Sequence, residues 1–219
     1  MRQVIAIDGP AGAGKSTVAR GVAERLGGKH LDTGAMYRAV ACAVLRHGVD
    51  PDDADTVASL VEHLRLDVDG DTVTVDGHDV TVEIRGATVT AAVSGVAAQS
   101  AVRRELVRRQ RAWVEAHPGA VVEGRDIGTV VLPDAALKVY LTASPAVRAE
   151  RRVAQSGGDL EEIERSITRR DAIDSQRLDS PLRPADDALL LDTSDLGAEQ
   201  VIATVVAVYH QRLSDIRGR

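Results

Sequence analysis

Residues 9–17 read GPAGAGKST. They directly follow the apolar run VIAID (4–8) and directly precede a stretch with Val18, Val22 and Leu26 at i, i+4 and i+8. This predicts a buried strand, a tight glycine loop and a helix from Lys15 to Leu26, stopped by Gly27-Gly28. Such a loop is built to hold phosphate. Gly9 permits the turn, and Gly12 and Gly14 let backbone N–H groups approach phosphate oxygens with no Cβ between them. The free N–H groups and dipole of the helix N-terminus favour the same anion. Lys15 is placed to reach the β and γ phosphates, and the Ser16 hydroxyl to ligate Mg²⁺. Gly9, Pro10, Ala11, Gly12, Ala13, Gly14, Lys15, Ser16 and Thr17 are therefore the candidate nucleoside-triphosphate contacts.

Further short apolar runs follow at AVVEG (120–124), LKVYL (137–141) and ALLLD (188–192), each flanked by helical pattern. Strands alternating with helices predict an α/β fold, a phosphate-loop parallel sheet with helices on both faces. Ligands of such sheets lie beyond the carboxyl ends of the strands. One segment breaks the rhythm. LRLDVDGDTVTVDGHDVTVEI (64–84) alternates with period two and predicts a small antiparallel β insert turning at Gly70-Asp71. QSGGD (155–159) reads as a link between two arginine-rich helical stretches.

Length and composition narrow the function classes. A chain of 219 residues suits one domain with inserted lobes. A net charge of −6 argues against blanket binding to nucleic acid or an anionic membrane. Arginines nevertheless cluster at 103–111, 148–152 and 165–177, either as solvated helix faces or as anion contacts. Cys42 is the only cysteine, so neither an intrachain disulfide nor a cysteine zinc site is possible. Cys42 reads as a small buried hydrophobe and Trp113 as helix packing rather than a base-stacking platform. The six histidines show no metal-ligand spacing. No 18-residue apolar run and no signal-peptide pattern occur, which leads to the expectation of a cytoplasmic protein without a membrane partner, and of a monomer.

Among phosphate-loop proteins, a GTPase would need an Asn-Lys-x-Asp base reader, and the chain contains no asparagine. Its one D-x-x-G, Asp67 to Gly70, falls in the hairpin. A mechanical ATPase would usually be larger. Glu123, after AVV, is either a carboxylate of the Mg²⁺ shell or a plain strand end. A small kinase remains. In the second-strand region LDTGAMYR (31–38), a polar turn and a helix start bring Tyr37 and Arg38 about twenty residues past the phosphate loop. Arg38 suits an acceptor phosphate or lies along its helix.

Taken together, GPAGAGKST, LDTGAMYR, VRRELVRRQR (102–111), EGRDIGTVV (123–131) and RRDAIDSQR (169–177) followed by SPLRPADDALLLDTS resemble the bacterial cytidylate kinases, of the nucleoside monophosphate kinase group. The resemblance runs along essentially the whole chain. It implies phosphorylation of CMP and dCMP with ATP as donor and Mg²⁺ as cofactor. It also implies an acceptor-binding lobe over about 50–98, containing the β insert, and a helical lid over about 148–165. The 155–159 loop is shorter than the family's usual lid loop.

The resemblance further places Thr33, Tyr37 and Arg38 around the acceptor. It places Arg125 and Arg177 on the acceptor phosphate, Asp174 with Arg170 at the ribose hydroxyls, and Ser94, Arg103 and Asp126 at the cytosine. Arg148, Arg151, Arg152 and Arg170 match the lid arginines that fold over the phosphates. Lys15, Arg125, Arg148, Arg152 and Arg170 form the implied catalytic set, and Ser16 the metal ligand. Ser94 can equally be a helix-packing residue, and Asp174 a partner of a neighbouring arginine. Two rival readings stay open: a kinase of this fold for UMP, AMP or a small metabolite such as shikimate, and a nucleotide-binding regulator without catalysis.

Overall fold

A computed structural model describes residues 2–177 and 179–217. The chain runs β1 (Arg2–Asp8), α1 (Lys15–Leu26), β2 (His30–Asp32), α2 (Thr33–Arg46), α3 (Ala54–His63), β3 (Leu66–Asp69), β4 (Thr72–Val75), β5 (His78–Asp79), α4 (Ala87–Ala98) and α5 (Ser100–Ala116). It continues with β6 (Val121–Gly124), β7 (Ala135–Thr142), α6 (Pro145–Ser156), α7 (Leu160–Ser175), β8 (Leu189–Asp192) and α8 (Ala198–Arg217). Two units separate: Met1–His30 with Val114–Arg219, and Leu31–Trp113.

The first unit is built on the parallel sheet, whose strand order is β2-β6-β1-β7-β8. The central strand β1 pairs in parallel with β6 and β7, and β7 with β8. Asp8 lies in register with Gly124 on one side and Tyr140 on the other, so β1 and β6 end together while β7 runs two residues further, to Thr142. The chain contains no phenylalanine, and aliphatic side chains fill the interior. Val18 and Val22 of α1 and Val201 and Val205 of α8 are buried with Ile5, Ile7, Leu137, Val139 and Leu141 of the sheet. The predicted limits of α1 hold. It ends on Gly27 in the left-handed conformation, with the Gly27 and Gly28 N–H groups closing on the last turn.

The second unit holds the antiparallel sheet β3-β4-β5 and the helices around α2. β3 and β4 pair from Leu66↔Val75 to Asp69↔Thr72 across the predicted Gly70-Asp71 turn, where Gly70 adopts φ 57°. The period-two reading fails beyond residue 79. Val80 still donates to the Val73 carbonyl, but the Asp79 carboxylate accepts from the Thr81 N–H, and the Thr81 hydroxyl accepts from the Val73 N–H. Those side-chain bonds turn the chain out of the sheet, and Glu83–Arg85 forms a 3₁₀ turn. The expected polar turn after Leu31 is also absent: Asp32 ends β2 and caps α2 at once by accepting from the Ala35 N–H at 3.1 Å. Part of the arginine cluster at 103–111 is structural. Arg109 donates to the Val61 and Leu64 carbonyls at the end of α3. The Arg108 hydrogen bond, aided by Arg109, pulls the Glu105 carboxyl down to about 2.

Among the described residues no helix is long and apolar enough to cross a membrane. Gly9 is the tightest point of the first unit. Its φ is 147°, and a Cβ there would stand 2.0 Å from the Leu141 carbonyl oxygen. No L side chain fits without moving β1 off β7. Gly9→Ala is expected to destabilise the protein by about 2–4 kcal/mol, lowering Tm by roughly 4–12 °C in a thermal melt.

Candidate functional site

Four carbonyls of the loop between β1 and α1 are held by side chains. The Gly9 carbonyl accepts from Arg125 Nη1 (3.0 Å), the Pro10 carbonyl from Lys15 Nζ (2.8 Å), the Ala11 carbonyl from Arg148 Nη1 (3.0 Å) and the Ala13 carbonyl from the Thr193 hydroxyl (3.3 Å). In a trans peptide the next residue's N–H points opposite the carbonyl, and no cis bond occurs here. Tying the carbonyls to side chains therefore turns the Ala11, Gly12 and Gly14 N–H groups the other way. Gly14 opens α1 in the left-handed region, and the first turn of α1 carries neither a side-chain cap nor an acidic residue. The arrangement is an anion cradle.

Behind it, Ser16 Oγ donates to Glu123 Oε2 at 2.9 Å, and His30 Nε2 stands 2.9 Å from Glu123 Oε1. Glu123, at the end of β6, is buried. A hydroxyl backed by a buried carboxylate is a hard oxygen donor set of the kind Mg²⁺ prefers.

The turn after β6 is pinned by Asp8. Its two carboxylate oxygens accept from the Ile127 and Gly128 N–H groups, each at 2.7 Å. Burial pushes the Asp8 carboxyl up to about 7, against those two bonds; the negative charge of Asp126 adds to the rise and Lys15 opposes it. Residues Ile127–Val131 form one π-helical turn, closed by Leu132 N–H to Ile127 carbonyl at 2.7 Å.

Three arginines of this unit, Arg125, Arg148 and Arg177, converge on two acids of α7. Asp174, 1 % exposed, pairs with Arg177 and with Arg125 Nη2 (3.2 Å). Asp171 pairs with Arg148 and stands 3.9 Å from Arg125. Arg148 is itself buried and also donates from Nε to the Ala143 carbonyl. Arg151 is turned to Thr193, while Arg152 stands exposed on α6 and Arg170 is half-buried on α7.

In the second unit, Thr33 is buried at the start of α2, and the Arg103 guanidinium lies 5.4 Å above the Tyr37 ring while donating to the Ala97 carbonyl. Arg38 donates to the Ile84 carbonyl and the Thr90 hydroxyl, and Ser94 is half-buried on α4. Cys42 is fully buried, as expected.

A profile of the family described as cytidylate kinase matches residues 5–211. The chain belongs to the cytidylate kinase family. The cytidylate kinase of Mycobacterium avium (strain 104) is 50% identical over 218 residues, covering 95% of this chain and 96% of that one. That of Rhodococcus opacus (strain B4) is 50% identical over 218 residues, covering 95% of each. Among solved structures, a gluconokinase from Sinorhizobium meliloti 1021 superposes with a TM-score of 0.55 at 13% identity, covering 98% of this chain and 95% of that one. That likeness concerns the fold alone.

The cytidylate kinase motifs thus supply Gly9 to Gly14 in one loop and Lys15 to Thr17 in the first turn of α1, with Arg125, Arg148, Asp174 and Arg177 in one network with them. Sequence reasoning passed over four residues of this network: Asp8, His30, Asp171 and Thr193. Asp8 and Asp171 stand beside motif residues, yet only the sheet register and the helix packing show what they hold. Asp8 carries a pH signature. The folded state keeps its proton up to about pH 7, whereas the unfolded chain loses it near pH 4. Its contribution to stability is therefore full below about pH 4 and is lost as pH rises to about 7. In urea unfolding from pH 5 to 8, the wild type is expected to lose more stability than Asp8→Asn. Parallel pH profiles for the two proteins would contradict this.

Proposed function

We propose that the chain transfers the γ-phosphoryl group of ATP to CMP and to dCMP, giving CDP or dCDP and ADP. The observation that carries this reading is the anion cradle with Arg125, Arg148 and Arg177 anchored beside it on Asp171 and Asp174. Membership of the cytidylate kinase family supports the choice of a cytidine acceptor.

The chemistry asks little covalent work of the protein. A nucleoside monophosphate has its second phosphate pKa near 6, so at pH 7 the attacking oxygen is already mostly anionic and no general base is required. Two highly charged groups must be brought together and the charge on the moving phosphoryl group offset, which is positioning plus electrostatics. In this proposal the N–H groups of the loop and Lys15 hold the β and γ phosphates. Lys15 leaves the Pro10 carbonyl to do so. Ser16, oriented by Glu123, is the protein ligand of Mg²⁺, which when bound neutralises part of the phosphate charge. Arg148, Arg151 and Arg152, from the proposed lid over about 148–165, together with Arg170 beyond it, offset charge on the donor side.

On the acceptor side, Arg125 and Arg177 take the CMP phosphate. Asp174, with Arg170, accepts from the ribose hydroxyls. Thr33, Tyr37 and Arg38 line the acceptor, and Ser94, Arg103 and Asp126 read the base. The free, buried cysteine suits the reducing cytoplasm as the place of action.

A panel of CMP, dCMP, UMP, AMP and shikimate in a coupled ADP assay tests the assignment. CMP and dCMP are expected to lead. A different leading acceptor replaces the substrate assignment, and ADP release with none of them favours a nucleotide-binding regulator. Lys15→Ala is expected to lower kcat at least about a hundredfold with little change in Tm. Retention of more than about a tenth of the activity would remove Lys15 from the transferring group.

The base makes the sharper case. Cytosine offers an amino donor at N4, which a carboxylate accepts, whereas uracil presents an acceptor there and would leave both groups unpaired. Asp126→Asn is expected to narrow the CMP:UMP ratio of kcat/KM, mainly by loss of CMP efficiency. An unchanged ratio would leave specificity to Ser94, Arg103 or backbone groups.

A further inference from the structure

His30 lies outside the motifs of the loop, yet its ring is tied into them. The His30 side chain is 9% exposed and that of Glu123 3%. His30 Nε2 is 2.9 Å from Glu123 Oε1, while Ser16 Oγ donates to Oε2 of the same carboxylate at 2.9 Å. The backbone fixes this relation. The Val121 N–H donates to the Lys29 carbonyl, next to His30, and Ile7, two residues before Gly9, is in register with Glu123. With the hydrogen on Nε2, each carboxylate oxygen has a donor, so the plane of the Glu123 carboxylate is set from both sides. The Ser16 hydroxyl proton is then committed to Glu123, and its lone pairs face away from that carboxylate. Removing His30 takes away one of the two donors that set the plane of the carboxylate, which loosens its terminal torsion and with it the direction of the serine proton.

We propose that His30 is a positioning residue that sets how tightly the metal–nucleotide complex is held, acting through Glu123 on the Ser16 hydroxyl. The inference rests on the proposed role of Ser16 as metal ligand. Outer partners of this kind typically change metal affinity by about 10–100-fold when removed.

Titration calorimetry of the full chain with ATP, once with saturating Mg²⁺ and once in EDTA, separates the metal-dependent part of binding from the rest. His30→Asn, too short to reach Glu123, is expected to weaken Mg²⁺–ATP binding about tenfold and to change metal-free ATP binding less than about twofold. His30→Gln, long enough to place an amide N–H near Oε1, is expected to recover most of the loss. A residue that only packs β2 would weaken both kinds of binding together, or neither. Equal effects with and without Mg²⁺, wild-type behaviour of His30→Asn, or no recovery in His30→Gln would each overturn the proposal. If His30→Asn does not fold, His30→Gln alone decides, because Mg²⁺–ATP binding in it more than about fivefold weaker than in the wild type contradicts the argument. A wild-type chain that binds no ATP under either condition would instead defeat the function reading itself, and with it the role of His30.

Discussion

Everything in the nucleotide-binding unit depends on which way the peptide groups of residues 9–14 face. A glycine-rich loop left to itself samples many orientations, since glycine restricts the backbone least. Here the carbonyls of Gly9, Pro10, Ala11 and Ala13 are each held by a side chain: one is the neighbouring Lys15, and three come from distant parts of the chain, namely the turn after β6, α6 and the residue after β8. The grips of Arg125, Arg148 and Thr193 restrain the loop independently of Lys15, and a loop restrained by its own side chains costs less binding free energy to order. The neighbouring strand ends set the same geometry. Asp8 and Gly124 can meet only because β1 and β6 run parallel and stop together, and that meeting lets one carboxylate hold two N–H groups of the next turn.

The same economy explains how an acidic chain handles very acidic substrates. The net charge is −6, yet the arginines facing Asp171 and Asp174 form a local basic cluster. Guanidinium groups massed without counter-charge would repel one another in a low-dielectric setting. The two aspartates of α7 supply that counter-charge and fix where the arginines stand. Truncating either acid would leave a buried cation short of its partner, which is more damaging than losing an exposed pair.

Much of this was legible in the sequence, for identifiable reasons. The limits of α1 followed from a period-3.6 stripe and a double-glycine stop, and the β3–β4 hairpin from strict alternation around Gly70-Asp71; both signals are local. The chain's departure from the small sheet at Thr81 was not legible, because the residues VTVEI keep the strand alternation and only the Asp79 and Thr81 side-chain bonds divert them. Asp8, His30 and Thr193 escaped for the opposite reason. Each looks ordinary in its own segment and acquires a role only through register or packing against a residue 93 or more positions away. The resemblance to the family makes Arg148 a lid residue. Its burial and its bond to the Ala11 carbonyl give it a structural grip on the loop that arginine spacing alone does not reveal.

That double attachment bears on what an arginine beside a phosphate loop must do. A guanidinium carries five N–H groups in one plane. Arg125 commits one nitrogen to the Gly9 carbonyl and another to Asp174, and so is oriented from both sides of its fork while donors remain. A lysine could not be fixed in this way, because its ammonium is a point charge on a flexible stem with no plane to orient. Lysine is scarce in the chain, with only Lys15, Lys29 and Lys138 among 27 basic residues. At Arg125 and Arg148, however, the geometry itself demands arginine: each has to grip a loop carbonyl and a carboxylate of α7 at the same time.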